Sequence, residues 1–159
     1  MPTLKTKTPF LEIDFQKASD VREIPIKRLY ERIIATTLLG VAQRAQLTLR
    51  FVASEESRYL NSEFRGKDTP TNVLSFPAEN ISHVLPDFLG DIVLCVPLVK
   101  SEAAEQGKSE QAHFAHLTVH GVLHLIGYSH SNRVLAERME RREIEVLSLF
   151  GFEDPYIST

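Results

Sequence analysis

Hydrophobic positions along the chain follow two spacings, one typical of strands and one typical of helices. Apolar residues alternate with polar ones over residues 11–15 and 47–51, and this period of two predicts two strands. Residues 89–96 form an apolar run suited to a buried strand, and residues 64–77 begin as a loop that becomes a strand near Val73. The chain is therefore expected to contain a small sheet of about four strands.

Helical spacing dominates the second half of the chain. We predict about five helices, over residues 25–39, from residue 54, and over residues 97–107, 109–126 and 132–150. Ser54 is a candidate N-cap for the second and shorter of these helices. The other four end at or directly before a glycine, which readily adopts the left-handed conformation of a helix end. This order of elements predicts one α+β domain over residues 1–159, with the helices packed on a small mixed sheet.

Composition and charge exclude several classes of protein. Hydrophobic residues are 43% and charged residues 25% of the 159 positions, which is typical of a globular domain and excludes disorder of the whole chain. The formal net charge of -3 means that any contact with nucleic acid must rest on a local basic patch. The single cysteine, Cys95, excludes an internal disulfide and a cysteine-based zinc finger. We see no signal peptide and no membrane-spanning apolar run, so a cytoplasmic protein without a membrane partner is expected.

Four of the six histidines lie on one face of the helix predicted for residues 109–126. They are spaced by three, four and four residues: His113, His116, His120 and His124. His120 and His124 are one turn apart, and Gly127 lets the chain turn back toward His130. Imidazole is a preferred zinc ligand, and three protein ligands leave a fourth position for water. We therefore predict one Zn²⁺ per chain, or another divalent ion, in a cleft beside this helix.

The same pattern, HGVLHLIGYSH, matches the spacing of the metzincin zinc signature, in which a glutamate general base follows the first histidine. That position is Gly121 here, so the metal ligands of a protease are present and its base is absent. The competing interpretation is that the histidines are core or surface residues with this spacing by chance. For His113 a solvated surface position is expected. His116 either supports a ligand, faces substrate or simply packs.

Three motifs in this order resemble the YbeY family of bacterial endoribonucleases and rRNA maturation factors: FRGKDTPTNVLSFP, LGDIVLCVP and HGVLHLIGYSH. The resemblance extends from about residue 47 to the segment GFEDPYI. It implies a zinc-dependent, single-strand-specific endoribonuclease that acts in 16S rRNA 3′-end maturation and ribosome quality control. The implied partners are single-stranded RNA, the 16S rRNA precursor, and the ribosome or its small-subunit proteins.

The resemblance also implies roles for individual residues. It implies His120, His124 and His130 as zinc ligands and Arg65 as a catalytic or RNA-contacting residue. The family usually reads GYDH at the last ligand, whereas this chain has Ser129 in place of the aspartate. That aspartate is not a ligand in the family pattern, so the metal site is kept, but any supporting or acid–base role of the position is lost.

The chemistry of Arg65 supports the same role independently. A guanidinium presents a fixed fork of donors that fits phosphate oxygens, and together with a metal it can stabilise the charge of a phosphodiester transition state. With Lys67 and Arg58 it is the best candidate for the local basic patch. The alternative is a solvated surface charge.

Two further charged features need an explanation. Asp91 lies inside an apolar run, where a buried carboxylate needs a partner, so we expect it to cap a helix or to orient a ligating histidine. The charge run at residues 137–145 mixes signs at helical spacing, which predicts a solvated helix face, with RNA contact by Arg138, Arg141 and Arg142 as the alternative. Two other functions also stay open: a non-catalytic, zinc-containing ribosome-assembly factor, and a metallohydrolase of another substrate class.

Overall fold

Four strands and five helices make up the described part of the chain, which in this computed structural model is residues 7–25, 27–78 and 84–157. In chain order the elements are β1 (Phe10–Lys17), α1 (Lys27–Thr37), β2 (Arg44–Val52), α2 (Ser54–Arg65), β3 (Val73–Pro77), β4 (Phe88–Cys95), α3 (Val96–Gln106), α4 (Glu110–Leu125) and α5 (Arg133–Leu149). The predicted α+β class with a small mixed sheet is confirmed. None of the helices in these ranges has the length and apolar character that crossing a membrane requires.

The sheet has the order β1-β2-β4-β3. Strand β2 pairs in parallel with both β1 and β4, and β3 pairs antiparallel with β4 at the sheet edge. Because side chains alternate along a strand, Leu49 and its partner Ile92 lie on the same face, and both are fully buried. This face packs on the helices and forms the main core.

Helix α4 is the element on which the others pack. It contacts α1, α3, α5 and the strands β3 and β4. It packs tightly against the sheet at Gly121, where an added β-carbon would lie 2.9 Å from Cγ2 of Ile92. The position that holds a glutamate base in metzincins is therefore closed by the packing of helix on sheet.

The second helix is longer than expected. Ser54 is its first residue rather than its N-cap, because Ala53 precedes it in extended conformation. The helix continues to Arg65 and ends at Gly66, whose φ of 69° is left-handed. The N–H of Gly66 donates to the carbonyl oxygen of Ser62, and that of Lys67 donates to the carbonyl oxygen of Asn61. The first two residues of the segment expected to begin as a loop therefore belong to a helix, and this gives Arg65 a fixed starting point.

Candidate metal centre

Three histidines converge at the C-terminal end of α4. The ligand nitrogens of His120, His124 and His130 all lie within 4.8 Å of one another. The Nε2 atoms of His120 and His124 are 3.1 Å apart. In a tetrahedral zinc site with Zn–N bonds of about 2.0–2.1 Å, two ligand nitrogens are separated by about 3.3–3.4 Å. The donor type and the spacing of these side chains therefore fit one zinc-sized ion.

The local sequence explains how the third histidine reaches the other two. Gly127 has a φ of 101°, and the N–H of Tyr128 donates to the carbonyl oxygen of Leu123 at 2.9 Å, which reverses the chain directly after α4. The reversal carries His130 back over the helix end, so that its ring centroid lies 4.9 Å from that of His124. The predicted turn at Gly127 is thus the device that completes the cluster.

The surroundings of His124 favour its neutral form. Burial, followed by the nearby His120 and His130, lowers the pKa of His124 to about 4, while a hydrogen bond with the backbone of Tyr128 acts in the opposite direction. His124 is therefore neutral at physiological pH, and its free nitrogen lone pair can bind a metal ion.

A buried carboxylate lies directly behind the cluster. Glu143 of α5 is fully buried, and its Oε1 is 3.5 Å from Nδ1 of His120. The same carboxylate is 2.6 Å from Nε2 of His116 and accepts a hydrogen bond of 2.8 Å from the hydroxyl of Tyr156. Burial raises the pKa of Glu143, but the hydrogen bonds with His116 and His120 outweigh burial and hold that pKa at about 2. The group is therefore an ionised acceptor.

The sequence interpretation missed Glu143, because it lies in the charge run at residues 137–145 that was expected to be solvated. That expectation is wrong at this one position. The buried residues of α5 are Met139, Glu143, Val146 and Leu147. Their spacing of four, three and one is that of a buried helix face, so a lone glutamate within this apolar stripe was the available signal.

The two remaining histidines of α4 serve different contacts. His116 is turned toward Glu143 through Nε2, so it reaches the metal cluster only through that carboxylate. His113 is 3% exposed, and its Nε2 lies 2.8 Å from Oε1 of Glu102 in α3. The expectation of a surface position for His113 is therefore wrong, because a carboxylate partner allows the imidazole to be buried between two helices.

Arg65 is exposed at the end of α2 and is oriented by strand β3. Its guanidinium donates to the carbonyl oxygen of Ser75 at 2.9 Å and lies 5.3 Å from the centre of the Phe76 ring. The hydroxyl of Ser75 in turn donates to the carbonyl oxygen of Gly121 at 3.3 Å. Strand β3 thus joins Arg65 to the turn of α4 that carries His120.

The local basic patch is smaller than the sequence indicated. Arg58 forms a bidentate ion pair with Asp68, with N–O distances of 2.7 and 2.9 Å, so its charge is largely neutralised. Lys67 is exposed and has no side-chain ion pair with any residue in the described ranges. The patch therefore consists of Arg65 and Lys67.

Asp91 lies away from the histidines. Ile92 points toward α4, so the preceding side chain, Asp91, points to the opposite face of the sheet, where it lines a cavity of about 520 Å³ together with Thr48 and Arg50. Asp91 lies in the interior of β4 and is half-buried, so it neither caps a helix nor orients a histidine. Both expected roles are wrong, and strand alternation is the reason.

Ser129 supports the turn that carries the last histidine. Its hydroxyl accepts a hydrogen bond of 3.1 Å from the N–H of Ser131 and donates one of 3.0 Å to the hydroxyl of the same residue. These two bonds bridge the residues on either side of His130. Ser129 therefore contributes to the shape of the loop.

Comparison with known proteins agrees with the resemblance seen in the motifs. The sequence model of the family described as Endoribonuclease YbeY matches residues 12–151. A protein named Endoribonuclease YbeY from Xylella fastidiosa is 44% identical over 153 residues, which are 93% of this chain and 94% of the relative. Another of that name from Coxiella burnetii is 44% identical over 149 residues, with coverage of 92% and 98%.

A solved structure supports the fold. The solution structure of TM1509 from Thermotoga maritima matches with a TM-score of 0.58 and 24% identity, over 92% of this chain and 99% of the other. An identity of 44% over 93% of the chain is high enough to assign the family. The family match at residues 12–151 includes the histidine motif, the Arg65 segment and the strand β4 motif. This chain belongs to the YbeY family of endoribonucleases.

Proposed function

We propose that this protein is a zinc-dependent endoribonuclease that cuts single-stranded RNA, and that it acts in the cytoplasm in 16S rRNA 3′-end maturation and ribosome quality control. The observation that carries the proposal is the convergence of three imidazole donors within 4.8 Å. Family membership supports the reaction class, since the relatives are named endoribonucleases.

His120, His124 and His130 would hold the ion. When bound there, a divalent ion supplies Lewis-acid polarisation of a phosphoryl oxygen and lowers the pKa of water. An open coordination position is supported by the contacts of His116, the nearest further histidine on the helix, which is engaged by Glu143 instead. A closed structural zinc site, as in a non-catalytic assembly factor, would need such a fourth protein ligand.

The substrate class follows from Arg65. Two of its N–H groups are used by the carbonyl oxygens of Phe64 and Ser75, so the remaining donors of the fork are available to phosphate oxygens. Its contact with Phe76 fixes the plane of the guanidinium before substrate arrives, which reduces the entropy cost of binding. A protease reaction is disfavoured, because Gly121 is packed against Ile92 and no carboxylate can occupy that position.

The small basic patch supports a role for the ribosome in placing the substrate. With a net charge of -3, and with Arg58 of the predicted patch paired to Asp68, the protein is expected to gain little from counterion release. We therefore expect weak affinity for free RNA and guidance by the ribosome or its small-subunit proteins.

The test compares zinc-loaded wild type with Arg65→Ala on a single-stranded RNA that spans the 3′ end of 16S rRNA, and on the same RNA annealed to its complement. Arg58→Ala is the matched control, because Arg58 is also an exposed arginine of α2 but is paired with Asp68. We expect wild type and Arg58→Ala to cut the single strand, whereas Arg65→Ala keeps its zinc and loses cleavage. Absence of cleavage by the zinc-loaded wild type would contradict the proposal.

A further inference from the structure

Glu143 is the point at which three donors from different parts of the chain meet. His116 and His120 approach it from α4, and the hydroxyl of Tyr156 approaches from the segment that follows α5. The side chain of Glu143 is 1% exposed, so no bulk water competes for its oxygens. A buried carboxylate is costly unless its acceptors are satisfied, and here three side chains satisfy them.

The orientation of His120 relative to this carboxylate determines which nitrogen faces the metal cluster. Nδ1 of His120 faces Oε1 of Glu143 at 3.5 Å, whereas Nε2 faces the equivalent nitrogen of His124 at 3.1 Å. An acceptor at Nδ1 favours the tautomer that carries its proton there, and that tautomer leaves the lone pair of Nε2 free for an ion. The distance of 3.5 Å is long for a hydrogen bond, so the position of the carboxylate must be maintained by its other partners.

Two side chains maintain the position of this carboxylate through shorter hydrogen bonds. His116 holds Oε2 at 2.6 Å, and Tyr156 donates to Oε1 at 2.8 Å and to Oε2 at 3.0 Å. The ring of Tyr156 packs edge-on against His116, with 5.4 Å between centroids. Tyr156 is itself placed by its N–H, which donates to Oδ1 of Asp154 at 2.8 Å. The segment after α5 thus forms part of the support of the metal site.

We propose that Glu143 is a positioning residue that holds His120 in the Nδ1-protonated tautomer, and that His116 and Tyr156 hold Glu143 in place for this task. The inference rests on the proposed function only in taking His120, His124 and His130 as the ligands. It assigns a role to the buried carboxylate of Glu143 and to its two partners, half-buried His116 and exposed Tyr156. Removal of such a partner typically lowers metal affinity by about 10- to 100-fold.

The test measures zinc affinity by competition with a chromogenic chelator, in the absence of RNA. The variants are Glu143→Gln, which keeps shape and one acceptor, Glu143→Leu, which removes both acceptors, and Tyr156→Phe. The matched control is Glu145→Gln, because Glu145 is two residues away on the same helix and 63% exposed. We expect affinity to fall by about 10- to 100-fold for Glu143→Leu, by less for Glu143→Gln and Tyr156→Phe, and to stay within about twofold for Glu145→Gln.

A second measurement separates positioning from general packing. Long-range ¹H–¹⁵N NMR correlations report the tautomer of each histidine ring. In the metal-free protein we expect His120 of the wild type to carry its proton on Nδ1, and Glu143→Gln to weaken that preference. If Glu143→Gln melts at a lower temperature yet binds zinc as tightly as wild type, Glu143 is a packing residue and the inference is overturned. If Glu143→Leu fails to fold, the zinc affinities of Glu143→Gln and Tyr156→Phe test the inference: a loss of affinity supports it, and wild-type affinity in both overturns it. If zinc binding in wild type does not depend on His124, the metal site itself is wrong and both proposals fall together.

Discussion

Gly121 of α4 and Ile92 of β4 pack so closely that a β-carbon on the glycine would lie 2.9 Å from Cγ2 of the isoleucine. The contact brings the middle of the helix against the centre of the sheet, one residue away from His120. It explains why the metal-ligand spacing of a protease occurs here without the protease base. Gly121, which directly follows the first helical ligand, has room for a side chain only if Ile92 moves.

The first prediction concerns this contact. Gly121→Ala introduces a methyl group into a site where Ile92 is fully buried, and such overpacking costs about 1–3 kcal/mol, partly offset by a helix-propensity gain of about 1 kcal/mol. We expect a net loss of stability of about 1 kcal/mol in chemical denaturation. The loss should largely disappear when Gly121→Ala is measured in an Ile92→Ala background, and a more stable Gly121→Ala single variant would contradict the contact.

The second prediction concerns pH. In the metal-free folded protein the pKa of His124 is lowered to about 4, whereas an unfolded histidine titrates near 6.5. Between these values the unfolded state binds the proton that the folded state does not, so stability is present above pH about 6.5 and is lost as the pH falls toward 4. Chemical denaturation of the metal-free protein across this pH range should show the loss of stability. For His124→Gln the free energy of unfolding should fall less steeply with decreasing pH. An equal slope for both proteins would disprove the assignment to His124.

The third prediction concerns the geometry of Arg65. Arg65→Lys keeps the charge but loses the planar fork and the contact with Phe76, so we expect cleavage to fall by at least about tenfold with zinc content unchanged. Lys67→Ala removes a neighbouring charge that has no fixed partner in the described part of the chain, and a smaller effect is expected. Initial rates on single-stranded RNA at equal zinc occupancy measure both. Full activity of Arg65→Lys would mean that charge alone is required.

The fourth prediction concerns the family aspartate that this chain lacks. Ser129 accepts a hydrogen bond from the N–H of Ser131 and donates one to its hydroxyl oxygen. An aspartate can accept the first of these bonds, and it can accept from the Ser131 hydroxyl once that group rotates. Ser129→Asp should therefore bind zinc with affinity within about threefold of wild type, as measured by the same chelator competition. A large gain in affinity would indicate that the carboxylate acts on the metal site and that this chain has lost that contribution.

Much of the fold could be predicted because its signals are local. The alternation of apolar residues predicts strand β2, and the spacing of three or four residues places the histidines on one face of α4. Gly127 marks the chain reversal that brings His130 to the helix. The side chains behind the site depend instead on pairing between elements. Burial of His113 requires Glu102 from another helix, and no pattern within α4 reveals that partner.

The expectations for Asp91 and Glu143 are wrong for the same reason: the surroundings of each residue depend on how its element packs against others. Asp91 was expected to need a buried partner, but one step of strand alternation puts it on the open face. Glu143 was expected to be solvated, but the apolar stripe of α5 carries it into the core. Whether a charged side chain is buried or solvated depends on which face of its strand or helix it occupies. Which face is buried depends in turn on tertiary packing.

The proposed function requires one metal ion bound at the three histidines for cleavage of RNA. The most direct measurement is zinc content and cleavage of single-stranded RNA on the same preparations of wild type and His124→Ala. We predict one zinc per chain and cleavage for wild type, and neither for a folded His124→Ala. Cleavage by His124→Ala that contains no metal, at a rate close to that of wild type, would contradict the account.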